Sequence, residues 1–343
     1  MRCAYQNDEV FLYFMKLYKN FPLSKILYYK IGGKARFVLK IENKEDLLEA
    51  FDFIKKEKPK RILPLGLGSN ILLNDKFFDG VVLWFSRYQS VPGKAGSSSI
   101  KLVQDNLVEA FSSVILDNLI QFCFSKNLIG LEWAGGLPST VGGAVRGNVG
   151  AFGGEISRSV DSIEVFEVRS DGEFIQKTLK SSDLKFSYRE SLVKKHKNWI
   201  IGDSCFKLSN ASDNSLSRAK EIYFSHIEYR NKNHPMDYPS CGSVFKNITK
   251  KEEVQKIIDR WPDIKELVDN KWYHKASMGY IINRLGFSGF KIGGAKVSEK
   301  HGNYIVNVSN AKFDDVYGII DKIKEKFSQT FGFSPELEVE VVE

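Results

Sequence analysis

Two glycine-rich stretches hold residues whose types and spacing could do chemistry. The first, LGLGSN at 65–70, ends an apolar run. The second, EWAGGLPSTVGGAVRGNVGAFGGE at 132–155, is one-third glycine. Glycine admits positive φ and lets a ligand approach the main chain closely, and successive exposed N–H groups form an anion-binding concavity. A flexible linker would interleave glycine with serine and lack large apolar groups. The second stretch instead carries Trp133, Leu137, Val141, Val145, Val149 and Phe152, so it is anchored. Neither stretch is a P-loop, and Ile71 stands where a GxGxxG pattern needs its third glycine. A structural turn would explain either loop alone. Two of them in a basic chain point to a phosphate-bearing ligand.

Three polar segments add reactive side chains: FSYRES at 186–191 with Arg189, SCGSVFKN at 240–247 with Ser243, and the terminal ELEVEVVE at 336–343. Singly, each has an ordinary structural explanation. The arginine could pair on the surface, the serine could close a turn after glycine, and the glutamates could form the solvated face of an edge strand. Glu336, Glu338 and Glu340 alternate onto one face if that segment is a strand.

The elements that position these residues read as mixed α and β. KARFVLKI at 34–41 is a strand. NKEDLLEAFDFIKKEK follows with Leu47, Leu48, Phe51 and Ile54 at helical spacing, Asn43 able to cap it, and Glu45 and Asp46 in its first turn. RILPL and FDGVVLWFS read as strands around the first glycine loop, a βαβ-type arrangement that ends in the turn or small linker PGKAGSSS. LVEAFSSVILDNLIQFCFSKN reads as one amphipathic helix, SIEVFEV and NWIIGDSCFKL as strands, and SLSRAKEIYFSHIEYRNKN as a helix capped by Ser215 or Ser217. DDVYGIIDKIKEKF is a further helix, before a terminal strand.

The bulk properties narrow the classes. A chain of 343 residues suits two or three domains. Its +8 charge is spread along the chain, and the densest patch, KKHK at 194–197, is short, so nucleic acid is not expected as a partner. No stretch nears the ~20 apolar residues of a membrane span, and the N-terminus does not read as a signal peptide. The cysteines at 3, 123, 205 and 241 have no CxxC spacing and no partner at metal distance. Buried free thiols in a reducing cytoplasm, and no metal, are the expectation.

In order, GxGSN, GLExxxGxPxTVGGAVxxNxGAxGGE, YRxS, SxGSxFKN, GGAxVSxKHxNxIxN and a terminal ExEV resemble the UDP-N-acetylenolpyruvoylglucosamine reductase family over residues 28–343. The short stretch between YRES and NWIIGDS is similar to its shorter subtype. The resemblance implies an α+β fold of three domains. Residues 1–95 and 96–219 would form a vanillyl-alcohol-oxidase-like FAD-binding module, and 220–343 a substrate-binding domain. It implies an oxidoreductase of peptidoglycan synthesis, a cytoplasmic monomer that uses non-covalent FAD and NADPH on a sugar nucleotide. The carried-over catalytic residues are Arg189 for the substrate carboxylate, Ser243 as proton donor and Glu338 as an assisting acid, with Glu340 the other register. FAD would lie on Leu65, Gly66, Leu67, Gly68, Ser69 and Asn70, and on Gly136, Ser139, Thr140, Gly142 and Gly143. Substrate contacts fall to Tyr188, Lys246, Asn247 and His301. Ser139 stands where the family usually has glycine, and Phe152 where tyrosine is common. A different FAD oxidoreductase of the same fold, or a basic nucleotide- or nucleic-acid-binding protein without redox chemistry, are the alternatives. The absence of histidine from both glycine loops argues against covalent FAD.

Overall fold

In a computed structural model, which describes residues 9–12, 15–86, 99–169 and 172–343, the βαβ reading of the first segment holds. Lys34–Ile41 and Ile62–Leu65 flank Phe78–Phe85 as parallel neighbours, and Lys44–Glu57 is the helix between the first two. Asn43 caps that helix, accepting from Asp46 N–H at 2.8 Å, and Glu45 and Asp46 lie at its positive end. Its buried stripe is Leu47, Ala50, Phe51 and Ile54, each large apolar side chain stabilising by about 1.5–3 kcal/mol; Leu48 is exposed. The sheet is completed by Glu9–Leu12 and Met15–Pro22, giving five strands. The expected boundary at residues 95 and 96, and Cys3, lie outside the described residues.

A second five-stranded sheet runs Phe174–Lys180, Val160–Val168, Trp199–Lys207, Leu107–Phe111, Ile100–Gln104, with every neighbour antiparallel. Here the single amphipathic helix expected over 107–127 is corrected. Leu107–Phe111 is a strand paired with Trp199–Lys207, and the helix covers only Leu116–Ser125. The apolar positions of LVEAF fit either period, and the ladder decides. Val108 and Ala110 are buried in the core, and Ser112 N–H donates to Gly202 O at the strand end.

The described chain divides into two compact units that interleave in sequence. Of the described residues, the first holds those within 9–21, 34–67, 77–86, 99–169 and 172–228; the second holds 22–33, 68–76 and 229–343. The helix Asp213–Asn233 carries the chain from one to the other. Its cap is Ser212, whose Oγ accepts from Ser215 N–H at 3.4 Å, rather than Ser215 or Ser217, because the helix starts earlier than its apolar pattern suggests.

In the second unit the helix Phe313–Phe331 buries seven apolar side chains and ends at Gly332 in the left-handed region. It packs beside the antiparallel strands Lys291–Ile292, Ala295–Val297 and Ile305–Asn307. The terminal strand is only Glu340–Val342, parallel to Ile71–Leu73. Glu336, Glu338 and Glu340 therefore do not alternate on one strand. Residues 336–338 pair locally with 244–246, and the chain bends before the strand begins.

Candidate active site

In the first unit the Ile62–Leu65 strand leads into the first glycine loop. Among the described residues no acceptor meets the backbone N–H of Gly66 or Leu67, so these two donors remain to be offered to an anion. A Cβ on Gly66 would lie 2.7 Å from Thr140 Oγ1, so only glycine lets the second loop come this close. Leu65, Gly66, Thr140, Gly142 and Gly143 meet here, and with Pro64, Phe85, Ser112, Arg146 and Trp199–Ile201 they line a pocket of about 380 Å³. Its polar side chains are hydroxyls, a guanidinium and an indole, with no carboxylate.

Much of the second loop behaves differently from the naked main chain expected of it. The N–H groups of Ser139, Val141, Gly142 and Gly143 donate to Leu137 O, Val114 O, Ser112 O and Thr140 Oγ1. Its glycines serve close packing instead: a Cβ on Gly142 would sit 2.4 Å from Ser112 Oγ. Ser139 Oγ turns to Thr140 O at 2.9 Å, which accommodates a side chain where the family pattern has glycine. Ser112 Oγ is buried in the pocket wall with no hydrogen-bond partner among the described residues. A largely apolar, carboxylate-free pocket with a guanidinium and an unsatisfied hydroxyl in its wall fits an anionic dinucleotide such as FAD.

Another glycine of this stretch, Gly150, helps to position Arg189. Its guanidinium donates to Gly150 O at 2.7 Å, and a Cβ on Gly150 would lie 3.2 Å from its Nη1. Arg189 has φ +60, a conformation that costs about 1–3 kcal/mol in a non-glycine residue. The turn is held by reciprocal bonds between Ser187 and Glu190, by Lys194 Nζ on Arg189 O at 2.8 Å, and by Asn148 Nδ2 on Ser187 O at 2.8 Å. The Tyr188 ring lies beneath the guanidinium, 5.1 Å from it. Phe152, at φ +51, stacks on His226 with ring centroids 3.8 Å apart.

In the second unit Ser243 and Glu338 belong to adjoining segments. Gly242 turns the chain at φ +76, its virtual Cβ 3.5 Å from Ser69 O. Glu338 N–H donates to Val244 O at 2.8 Å, Lys246 N–H to Glu336 O at 2.9 Å, and Asn70 Nδ2 to Glu338 O at 3.2 Å. Ser69, Asn70, Ser243, Lys246 and Glu338 thus form one backbone-linked group. Lys246 pairs with Glu336, while Asn247 points into the fold, accepting from Met278 N–H at 3.0 Å. His301 sits against Gly279, and burial lowers its pKa. Beside it His234 contacts the Tyr304 hydroxyl at 3.2 Å; its pKa is pushed down to about 4 by burial and by neighbouring His301 and Arg230. The Tyr304 phenol is pushed up to about 12 by burial, opposed by Arg230 and reinforced by Glu338.

The family described as UDP-N-acetylenolpyruvoylglucosamine reductase, C-terminal domain, matches residues 234–342, and the FAD binding domain matches residues 35–176. A relative from Fusobacterium nucleatum named UDP-N-acetylenolpyruvoylglucosamine reductase is 31% identical over 328 residues, 96% of this chain and 100% of its own. The chain belongs to the UDP-N-acetylenolpyruvoylglucosamine reductase family. A second reductase of that name, from Thermotoga maritima, is 33% identical over 91% of this chain and 94% of its own. The crystal structure of the Thermus caldophilus reductase superposes with a TM-score of 0.68 at 25% identity, covering 96% of this chain and 100% of that one. Within this reductase family the chain is an FAD-dependent oxidoreductase. Its FAD-binding match contains the pocket-lining Leu65, Gly66, Thr140, Gly142 and Gly143, and its C-terminal match contains Ser243, His301 and Glu338.

Three site features escaped the sequence reading. Ser112 carried no signal, because a serine after a strand is commonplace. Arg146 stands with Gly147 where the family usually has an apolar pair, and nothing in that pattern marks it as a pocket residue. His234 and Tyr304 are brought together by the fold across 70 residues. Among the described residues no group of histidine, cysteine or acidic side chains could hold a metal ion, and no helix is long and apolar enough to cross a membrane. Cys123 and Cys241 are buried free thiols with pKa values pushed up to about 12, but Cys205 is only half-buried, with Glu109 beside its Sγ at 3.6 Å.

Proposed function

We propose that this chain reduces the enolpyruvyl ether of UDP-N-acetylglucosamine to UDP-N-acetylmuramate with NADPH, a step of peptidoglycan precursor synthesis, as a cytoplasmic monomer. The donors of Gly66 and Leu67 and the pocket around Thr140 and Gly142 would hold FAD non-covalently. When bound, FAD supplies the redox chemistry, taking a hydride from NADPH and passing it to C3 of the enolpyruvyl group. Hydride arrival at C3 leaves negative charge on C2 and the adjoining carboxylate. Arg189, pre-set by its turn and by Gly150, meets that carboxylate with a planar fork, an interaction whose loss costs roughly 3–4 kcal/mol where the donor is preorganised. Ser243 Oγ holds the proton for C2, Lys246 lies three residues on to bias it, and Glu338 assists. Tyr188 and His301 contact the substrate. Asn247, its Oδ1 anchored by Met278 N–H, contacts the substrate through its Nδ2.

The observation that carries this reading is the union of Ser243 and Glu338 on mutually hydrogen-bonded segments of the second unit, in a chain of this family. The test is anaerobic: protein is reduced with NADPH, mixed with the enolpyruvyl sugar nucleotide, and flavin reoxidation is followed by its absorbance. Reoxidation is expected in wild type. Ser243→Ala should leave reduction by NADPH within about twofold and slow reoxidation by about 10²–10⁴-fold, the usual weight of a general acid. A protein bleached by NADPH but never recoloured by this substrate would instead be a different flavin oxidoreductase.

A further inference from the structure

We propose that Asn303 is a positioning residue for the proton-transfer half of the reaction, holding Ser243 and Glu338 in one frame; this rests on the functional reading above. Asn303 is 3% exposed. Its side-chain amide takes both polar groups of one residue's main chain: Oδ1 accepts from Phe245 N–H at 2.9 Å, and Nδ2 donates to Phe245 O at 2.8 Å. Its own carbonyl accepts Val244 N–H at 2.8 Å. Three bonds from a single buried residue therefore fix the two residues after Ser243. The other edge of the same segment is occupied by the C-terminal chain, through Glu338 N–H to Val244 O and Lys246 N–H to Glu336 O. Residues 244–246 are thus a three-residue strip with Asn303 on one side and the Glu336–Glu338 main chain on the other. Moving Asn303 displaces Ser243 and the segment that carries Glu338 together.

The clamp is itself fixed. Asn303 N–H donates to His301 Nδ1 at 3.3 Å, which assigns the ring proton to Nε2. Gly302 packs so tightly that a Cβ would lie 2.3 Å from Asn283 Oδ1 and 2.5 Å from Gly279 O. The amide has no proton of its own to give at neutral pH, so its role is geometric. A reacting group misplaced by about 1 Å can lose roughly 100-fold in rate. The chemistry served is protonation of C2, so the effect belongs to the substrate half-reaction, and flavin reduction by NADPH should be spared.

The test compares wild type, Asn303→Ala and Asn303→Asp as purified flavoproteins, reading the two half-reactions separately by stopped-flow absorbance. Both variants should be reduced by NADPH within about twofold of wild type and be reoxidised by the enolpyruvyl sugar nucleotide about 100-fold more slowly. Should Asn303→Ala fail to fold, Asn303→Asp carries the test alone. An ionised aspartate accepts from Phe245 N–H but repels Phe245 O, whereas its protonated form can donate to that oxygen as the amide does. Its reoxidation rate relative to wild type should therefore climb as pH falls toward 5. A ratio flat with pH, equal loss in both half-reactions, or reoxidation within twofold of wild type would each overturn the assignment. A wild-type protein that the substrate does not reoxidise would overturn the functional reading itself, which separates the two failures.

Discussion

At the scale of single residues, Asp203 shows how the fold moves a group that the sequence leaves ordinary. Its pKa is raised to about 6, first by burial, then by Glu109 and Glu164, with Lys44 and Lys101 offsetting only part. Those lysines are committed elsewhere, Lys101 to Glu109 at 2.6 Å and Lys44 to Glu164 at 2.5 Å. Below about pH 4 the aspartate is protonated in both folded and unfolded chains. Between about 4 and about 6 the folded chain keeps a proton that the unfolded chain has released, so stability falls as pH rises. Above about 6 the penalty is constant. Asp203→Asn should then stabilise the protein by about 1–2 kcal/mol at pH 8, a figure reduced for the side chain's partial exposure, and by nothing near pH 4. Urea unfolding at the two pH values reads this directly, and equal midpoints for variant and wild type at pH 8 would refute it. The DS of NWIIGDSCFKL gave no hint of this, because the two glutamates come from other strands. By contrast the bare main chain at Gly66 and the glycine turn before Ser243 were legible as backbone features, since glycine spacing is a local property; a role for Ser243 came only from the family resemblance.

At the scale of elements, helix caps and strand pairings separate what is local from what is not. The Lys44–Glu57 helix was readable to its cap because Asn43, the acidic first turn and the apolar stripe all agree. The LVEAF segment was misread because its apolar positions suit two periods, and its pairing with Trp199–Lys207, about 90 residues on, resolves them. The terminal glutamates were misread for a related reason. A short segment alternates on paper, but the strip at 244–246 claims residues 336–338 first. The cap of Asp213–Asn233 permits a direct measurement. Ser212 receives Ser215 N–H and its carbonyl takes Leu216 N–H, whereas Ser217 lies inside the helix. Ser212→Ala should cost about 1 kcal/mol and Ser217→Ala no more than a few tenths. A denaturant midpoint moved more by Ser217→Ala than by Ser212→Ala would put the helix start where the sequence pattern placed it.

At the scale of the whole molecule, the second unit is assembled from three separated pieces of chain, and its core shows why they cannot be parted. Tyr29, Ile31 and Leu72 are buried in the same apolar cluster as Ile281, Ile305, Ile319 and Phe327. The Tyr29 hydroxyl donates to Ile305 O at 2.8 Å, Asn307 Nδ2 to Tyr29 O at 3.2 Å, and Phe313 N–H to Asp75 Oδ2 at 2.7 Å. The terminal strand has Ile71–Leu73 as its ladder partner. A fragment of residues 229–343 would expose Leu72's place in the core, lose the side chains of Tyr29 and Ile31, and leave Glu340–Val342 with an unpaired edge. Each missing large apolar side chain removes about 1.5–3 kcal/mol, and a domain's entire stability is about 5–15 kcal/mol. The segment that matches the family's C-terminal domain should therefore not fold alone. Expressed by itself, it should show collapsed amide dispersion in a proton–nitrogen correlation spectrum and no cooperative thermal transition, while the full chain shows both dispersion and a transition. A fragment that melts cooperatively with well-dispersed amides would mean that residues 22–33 and 68–76 decorate this unit rather than build it. Ser243, Asn303 and Glu338 would then owe their arrangement to the C-terminal chain alone.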